Sequence, residues 1–88
     1  MVKRGKLEIM RDILNLVRDN NKIKPTPLLR KSGLSSSSFK EYYKELLDKG
    51  LISELDSSSD RYVILSEKGF NFLQRYSTIV DFIEEFEL

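Results

Sequence analysis

The stretch that decides the fold runs from Ile23 to Leu65 and reads IKPTPLLRKSGLSSSSFKEYYKELLDKGLISELDSSSDRYVIL. Its first part predicts a short helix with Thr26 as the N-cap and Pro27 as the first helical residue, where a missing amide hydrogen costs nothing. Gly33 predicts the end of this helix, because glycine readily adopts the left-handed conformation that closes one. A helix of about two turns depends on its neighbours for stability.

A second helix is predicted from Ser36 to Lys49. Ser35 or Ser36 can cap its start, and Gly50 ends it. Apolar side chains recur at helical spacing on one side, at Phe39, Tyr42, Tyr43, Leu46 and Leu47. The opposite side carries Ser36, Ser37, Lys40 and Lys44, with Glu41 toward its edge. We therefore expect one side of this helix to pack and the other to face solvent or a partner.

Two strand-like runs complete the stretch. They span Leu51–Leu55 and Arg61–Leu65, and the loop between them, Asp56 to Asp60, consists of five turn-forming residues. This pattern predicts a β-hairpin. Earlier in the chain, Lys24 precedes a proline, where helical backbone is disfavoured, so Ile23 is expected in a brief extended segment. That segment is a candidate third strand beside the hairpin.

Amphipathic helices are predicted on both flanks. From Lys6 to Arg18, apolar residues recur every three or four positions, and Ser66 is a suitable N-cap for a final helix. The order of helix, short strand, two helices, hairpin and final helix predicts a mostly α fold with a small β-wing, a winged helix-turn-helix with a long C-terminal helix. We expect a single domain, with residues 1–65 forming the winged helix-turn-helix and residues 66–88 a dimerisation helix.

The final helix carries more apolar surface than a small domain needs. A stripe with spacing 4-3-4-3 is formed by Phe72, Tyr76, Ile79, Ile83 and Phe86. Large apolar patches are rarely left in water, so these residues are candidates for a homodimer interface. The heptad pattern lasts fewer than three repeats, and an intramolecular core helix is the alternative interpretation.

Composition excludes several functions. The chain has no cysteine and no histidine, which removes disulfides, thiolate metal sites and the usual general base near neutral pH. Its fourteen acidic residues include no evident catalytic pair. We therefore expect no metal, no cofactor and no enzymatic activity. The sequence shows no secretory signal and no run of about 20 apolar residues, which predicts a cytoplasmic protein without a membrane partner.

The formal net charge of +1 conceals a division along the chain. Residues 1–50 contain twelve basic and six acidic residues, a balance of +6, whereas residues 51–88 contain three and eight, a balance of −5. Clustered basic residues are typical of nucleic-acid-binding proteins, but they also occur on ordinary solvated surfaces. Charge alone leaves both interpretations open.

Several short motifs, taken in order, resemble the small archaeal winged-helix DNA-binding proteins. They are GLS at 33–35, YY at 42–43, LL at 46–47, KGLI at 49–52 and SEKG at 66–69, and the first helix also matches. The family is described as predicted transcriptional regulators or chromatin-associated proteins, and some members dimerise through a C-terminal antiparallel coiled coil. The resemblance covers nearly the whole chain. It implies a homodimer, associated with the nucleoid, that places the helix at 36–49 in the major groove of double-stranded DNA.

Candidate DNA-binding residues follow from this resemblance and from the charges. Ser36, Ser37 and Lys40 are best placed to touch base edges, with Lys44 further along the same side. Candidate phosphate contacts are Lys3, Arg4, Lys6, Arg30 and Lys31, together with Arg61 beside the two aspartates of the wing. The alternative function is a protein-interaction module of the same fold that does not bind DNA, because fold alone does not settle function.

Overall fold

Residues 5–88 are described by a computed structural model of the chain and form four α-helices and three β-strands. In chain order the elements are α1 (Lys6–Asp19), β1 (Lys22–Ile23), α2 (Pro25–Ser32), α3 (Ser36–Asp48), β2 (Ile52–Ser57), β3 (Asp60–Leu65) and α4 (Glu67–Glu85). The mostly α fold with a small β-wing and a long C-terminal helix is confirmed. No helix within residues 5–88 combines the length and the apolar character that a membrane crossing requires.

The three strands form one antiparallel sheet in the order β1-β3-β2. β1 pairs with the central strand β3, with Lys22 opposite Ile64 and Ile23 opposite Val63. The extended segment at Ile23 is therefore a third strand, as the proline after Lys24 indicated. This pairing ties the connection between α1 and α2 to the wing.

The hairpin has longer strands and a shorter loop than predicted. β2 and β3 pair continuously from Ile52 opposite Leu65 to Ser57 opposite Asp60, which leaves two residues in the turn. Ser58 takes a positive φ of 54°, a conformation found in tight hairpin turns. The prediction of a five-residue loop from Asp56 to Asp60 is therefore wrong. The pairing of the two strands continues through polar residues that are poor strand formers.

α2 begins earlier than predicted. Its first residue is Pro25 and its N-cap is Lys24, which forms no side-chain cap, so the assignment of Thr26 as N-cap is wrong. The amide of Leu28 donates to the carbonyl of Lys24 at 3.1 Å, and two of the three helical residues before it are prolines without amide hydrogens. Only the Thr26 amide in this first turn needs an outside acceptor, which explains why no cap is required.

Serine side chains cap the starts of α3 and α4. The Ser35 hydroxyl accepts from the Ser38 amide at 3.3 Å and opens α3, which settles the choice between Ser35 and Ser36. The Ser66 hydroxyl accepts from the Gly69 amide at 3.0 Å and opens α4 as predicted. The same Ser66 hydroxyl donates to the Gly50 carbonyl at 2.6 Å. One side chain thus joins the end of α3 to the start of α4.

The hydrophobic core lies between α1, the helix-turn-helix and the sheet. Its largest fully buried side chains are Ile13, Leu14, Val17, Leu28, Leu46, Ile52 and Val63. α4 contributes Leu73 to this core, and Phe72 packs against it while remaining partly exposed. The first half of α4 therefore belongs to the intramolecular core, whereas the second half projects beyond it.

Candidate nucleic-acid interface

The packing of α3 separates the two sides that its sequence predicted. Phe39 and Leu46 are buried and hold the helix against the core. All four predicted contact residues on its other side are exposed, namely Ser36, Ser37, Lys40 and Lys44. The prediction of one packed side and one open side is confirmed. Glu41 and Asp48 also lie exposed on α3, so the cationic part of this surface is strongest toward the start of the helix.

Lys40 and Lys44 have no carboxylate partner among residues 5–88, a property they share with five other basic residues of that range. By contrast, ion pairs engage Lys6, Arg11, Arg18, Lys24, Lys49 and Arg61. An unpaired surface ammonium keeps its full charge for an external anion, because no internal contact has to break first.

The starts of α2 and α3 add a second source of positive potential. Neither helix has an acidic residue in its first turn, whereas α1 and α4 carry Glu8 and Glu67 there. The N-terminal end of a helix bears a partial positive charge and exposes amide hydrogens, so it favours anions such as phosphate. In α2 and α3 no carboxylate of the first turn offsets that charge, and in α2, where Pro25 and Pro27 have no amide hydrogen, the Thr26 amide is the donor of the first turn.

The starts of α2 and α3 meet along a shallow depression of about 330 Å³. Thr26, Ser36 and Lys40 line it, over a floor that includes Leu29 and Phe39. Thr26 therefore adjoins the candidate residues of α3, although the sequence interpretation used it as a cap. The sequence signal for this position is its spacing of four residues from Arg30, because residues four apart share one side of a helix. Arg30 is exposed, which agrees with its predicted role as a surface base.

Four of the remaining candidates lie elsewhere or beyond the described part. Lys31 donates to the Asn20 side-chain oxygen at 3.4 Å, beside the end of α1. Lys3 and Arg4 fall outside the described residues. Lys6 lies 2.8 Å from Glu45 in an ion pair that joins α1 to the second half of α3. The hydrogen bond from Lys6 lowers the pKa of Glu45, and the same contact raises the pKa of Lys6.

The wing holds its one arginine among carboxylates. Arg61 lies 3.4 Å from Asp56 and 3.9 Å from Glu54, and Asp60 at the turn pairs with Lys24 at 3.3 Å. The charge of Arg61 is therefore largely balanced within the wing. A phosphate contact by Arg61 would compete with both carboxylates.

Tyr43 fastens α3 to the wing. Its hydroxyl donates to Glu54 Oε2 at 2.7 Å, and its ring lies 5.6 Å from the ring of Phe39. Burial, followed by the hydrogen bond to Glu54, raises the pKa of Tyr43 well above its ordinary value. The hydroxyl consequently stays protonated and remains a donor through the neutral range.

The candidate dimerisation residues divide into two groups. Phe72 and Tyr76 are partly buried, and the guanidinium of Arg11 lies 5.1 Å above the ring of Tyr76. The other members of the stripe are open to solvent, with exposures of 57% for Ile79, 41% for Ile83 and 57% for Phe86. Phe82 is also exposed, and its ring lies 4.9 Å from that of Phe86. These open residues form a continuous apolar end of α4.

Residues 5–88 hold no group of three or more potential ligand side chains arranged for a metal ion. The acidic side chains of the wing are instead engaged with Arg61, Lys24 and Tyr43.

Several solved structures share this fold. Sso10a-2, a DNA-binding protein from Sulfolobus solfataricus, aligns with a TM-score of 0.76 and 21% identity over 96% of this chain and 86% of its own. AF1382 from Archaeoglobus fulgidus aligns with a TM-score of 0.68 and 19% identity, over 96% of this chain and 92% of its own. The oxidised form of MarR from E. coli aligns with a TM-score of 0.73 and 18% identity over 82% of this chain. At these identities the likeness shows the fold.

The chain spans about half the length of the MarR-type structures, 53% of the E. coli protein and 55% of a MarR family transcriptional regulator from Silicibacter pomeroyi. No curated protein matches the sequence. A family model described as winged helix-turn-helix matches residues 3–84. That match spans nearly the whole chain, from before α1 to the last turn of α4, so the protein belongs to the winged helix-turn-helix family.

Proposed function

We propose that this protein binds double-stranded DNA as a transcriptional regulator or chromatin-associated protein, and that it acts at the nucleoid in the cytoplasm. The observation that carries the proposal is the open side of α3, where two serines and two lysines without carboxylate partners lie together. Support also comes from the description of the similar Sso10a-2 as a DNA-binding protein. The proposed activity is binding, without catalysis.

In this proposal α3 enters the major groove, which is wide enough to admit an α-helix. Ser36, Ser37 and Lys40 at its start face the base edges, where a lysine ammonium can donate to the acceptors of guanine. Lys44 lies one turn further along and contacts phosphate. Thr26 at the start of α2 and Arg30 in its last turn contact the adjacent backbone, where phosphate accepts from the Thr26 amide and attracts the Arg30 charge.

The decisive experiment removes the two lysines. We expect Lys40→Ala combined with Lys44→Ala to weaken binding to a fluorescent duplex and to flatten its salt dependence. Each lost phosphate contact reduces the slope of log K against log salt by about 0.9. The double variant should therefore lose between one and two units of slope in a fluorescence anisotropy titration, depending on whether Lys40 contacts a base or a phosphate.

A matched control changes the charge elsewhere. Arg18 is exposed on α1 and lies 3.3 Å from Asp19, so Arg18→Ala removes one positive charge away from α3. We expect this variant to keep the parental slope. Equal slopes for the parent and the double lysine variant would rule out α3 as the DNA-binding surface.

A second candidate function is a protein-interaction module without DNA binding. The observation in its favour is the acidic wing, where Glu54 and Asp56 lie beside Arg61 and Asp60 pairs with Lys24. Such a surface fits a basic protein partner better than a phosphate backbone. Retention on immobilised duplex DNA at low salt, compared with retention of a basic protein on the immobilised chain, separates the two functions.

We propose further that the DNA-binding unit is a homodimer formed through the second half of α4. The exposed Ile79, Phe82, Ile83 and Phe86 form the apolar surface that such a dimer would cover. The charges favour an antiparallel arrangement, because Lys68 and Arg75 lie in the first half of α4 and four acidic residues lie toward its end. A parallel pair would instead bring the two acidic ends together.

A further inference from the structure

A second apolar surface lies at the opposite end of α4 from the exposed phenylalanines. A groove of about 430 Å³ is formed where the start of α1, the end of α3 and the start of α4 come together. Its apolar lining consists of Leu7, Met10, Leu51 and Phe72, and its charged lining consists of Lys6, Lys49, Lys68 and Glu45. We call this surface the basic groove. Leu7 is 58% exposed within it, an unusual degree for a leucine on the apolar side of its helix.

The rim of the basic groove has an excess of positive charge. Lys6 and Lys49 share one carboxylate, that of Glu45, at 2.8 and 4.0 Å. Lys68 forms no ion pair with any residue in 5–88. Three ammonium groups therefore face one carboxylate, and the groove suits an occupant that is both apolar and acidic.

The end of α4 has this chemical character. Phe82 and Phe86 are exposed there. Glu84 and Glu85 lie between them in the sequence, and Glu87 follows. This end cannot reach the basic groove of its own chain, because Phe72 and Phe86 lie on one continuous helix at about 1.5 Å per residue, roughly 21 Å apart. The end of α4 from a second copy has no such restriction.

Helix geometry places the two surfaces together in an antiparallel pair. Phe72, Ile79 and Phe86 are spaced by seven residues and lie on one side of α4. If two copies of α4 cross at Ile79, Phe72 of one and Phe86 of the other both lie about 10 Å along the axis from the crossing point, on the same side of it. The aromatic end of one helix then lies level with the groove of the other.

We propose that the end of α4 from a second copy of the chain docks in the basic groove. Phe86 covers Leu7 and Phe72, and the glutamates beside it face Lys68 and the other two rim lysines. This inference rests on the homodimer proposed above and extends it, because the contact between copies then includes α1 and the end of α3 as well as the two α4 helices. Each copy contributes one groove and one helix end.

Cysteine crosslinking tests the docking directly, because the chain contains no cysteine of its own. The variants Lys68→Cys and Glu87→Cys are prepared separately, mixed, allowed to exchange subunits and treated with a short bismaleimide. We expect a crosslinked dimer in the mixture and little product from either variant alone. Arg30→Cys on α2, mixed with Glu87→Cys, is the matched control and should give no product.

Ile79→Cys separates failure of the docking from failure of the dimer. Its self-crosslinking reports any dimer that uses this side of α4. Product from Ile79→Cys, but none from Lys68→Cys with Glu87→Cys, would overturn the docking and leave the dimer standing. Absence of product from both would overturn the dimer and the docking together. Self-crosslinking of Glu87→Cys alone would indicate parallel helices and would also refute the docking.

A charge exchange supplies an independent measurement. Lys68→Glu and Glu87→Lys should each weaken dimerisation by about two- to thirtyfold, because the symmetric dimer contains this exposed ion pair twice. The combination in one chain should restore the parental dissociation constant, because the two charges again oppose each other. Additive losses in the combined variant would contradict a contact between these residues.

Discussion

At the scale of single residues, Tyr43 shows how a polar contact joins α3 to the wing. Its ring packs beside Phe39 of α3, and its hydroxyl reaches Glu54 of β2. The neutral hydroxyl is the form that donates, and burial together with this hydrogen bond raises the pKa of Tyr43. One contact between α3 and the wing is thus made by a hydroxyl whose pKa lies above its ordinary value.

Replacement of Tyr43 by phenylalanine should lower the free energy of unfolding by about 1 kcal/mol at neutral pH, the usual contribution of one hydrogen bond. The pKa of Tyr43 is raised in the folded state above the 10.0 of an unperturbed tyrosine. The stabilisation is therefore complete below pH 10 and is lost as the pH rises from there toward the folded-state pKa. Urea unfolding at neutral and alkaline pH should show the difference between the parent and Tyr43→Phe becoming smaller.

Tyr62 provides the control for this prediction. It is partly exposed, and its ring lies near Lys22 at 4.6 Å. The Tyr62 hydroxyl has no hydrogen bond to any residue in 5–88, so Tyr62→Phe should cost less at neutral pH. A constant difference between the parent and Tyr43→Phe across the alkaline range would show that the hydroxyl makes no selective contact.

At the scale of elements, Gly69 determines how closely α4 approaches the rest of the fold. It is buried in the first turn of α4. A Cβ added there would overlap the Leu51 carbonyl oxygen and would lie 2.7 Å from a methyl carbon of Leu65. The helix can cross the end of the hairpin at this distance only because residue 69 has no side chain.

We expect Gly69→Ala to destabilise the protein by about 1–3 kcal/mol, the usual cost of overpacking. The sign is informative, because alanine alone would favour a helix by about 1 kcal/mol relative to glycine. Thermal unfolding measures the effect. Gly5→Ala is the matched control, since no heavy atom lies within 4 Å of a Cβ at that position. A higher melting temperature for Gly69→Ala would show that α4 packs more loosely than described.

Local patterns predicted the elements but not all of their limits. The periodicities of α1, α3 and α4 and the caps at Ser35 and Ser66 are local signals, and the structure contains each of them. The hairpin extends through Asp56 and Asp60 because cross-strand pairing outweighs the weak strand preference of these residues. α2 starts at Pro25 because two prolines remove the amides that a cap would serve.

The candidate site was predictable to a smaller extent. Helical spacing placed Ser36, Ser37, Lys40 and Lys44 on one side of α3, since these positions depend on one helix alone. The partner of Lys6 is Glu45, 39 positions away, and no local pattern reveals such a pair. The proximity of Thr26 to Lys40 also depends on how α2 packs against α3. Tertiary packing therefore decides which basic residues remain unpaired.

At the scale of the whole molecule, the exposed end of α4 sets the expected oligomeric state. We expect Phe86→Glu to shift the protein from dimer to monomer in sedimentation velocity, because a charge replaces an aromatic ring at the proposed contact. Binding to a duplex with two half-sites should weaken as well, since the second contact no longer benefits from the first.

Ser53→Glu is a suitable control for the dimer, because it adds the same charge at an exposed position on β2. Its sedimentation should match that of the parent. A monomeric parent at micromolar concentration, or a dimer that survives Phe86→Glu, would contradict the proposed interface.

The Ser66 hydroxyl donates to the Gly50 carbonyl and accepts from the Gly69 amide, and so stiffens the joint between α4 and the rest of the winged helix-turn-helix. In the proposed dimer, a stiff joint would hold the two α3 helices at one separation and one rotational phase. A DNA site with half a helical turn added between its half-sites would then bind weakly, because the rotational phase is wrong. A full added turn would restore the phase, but the half-sites would lie farther apart than the two α3 helices. Selectivity for operator length would thus originate in one hydroxyl group far from any base.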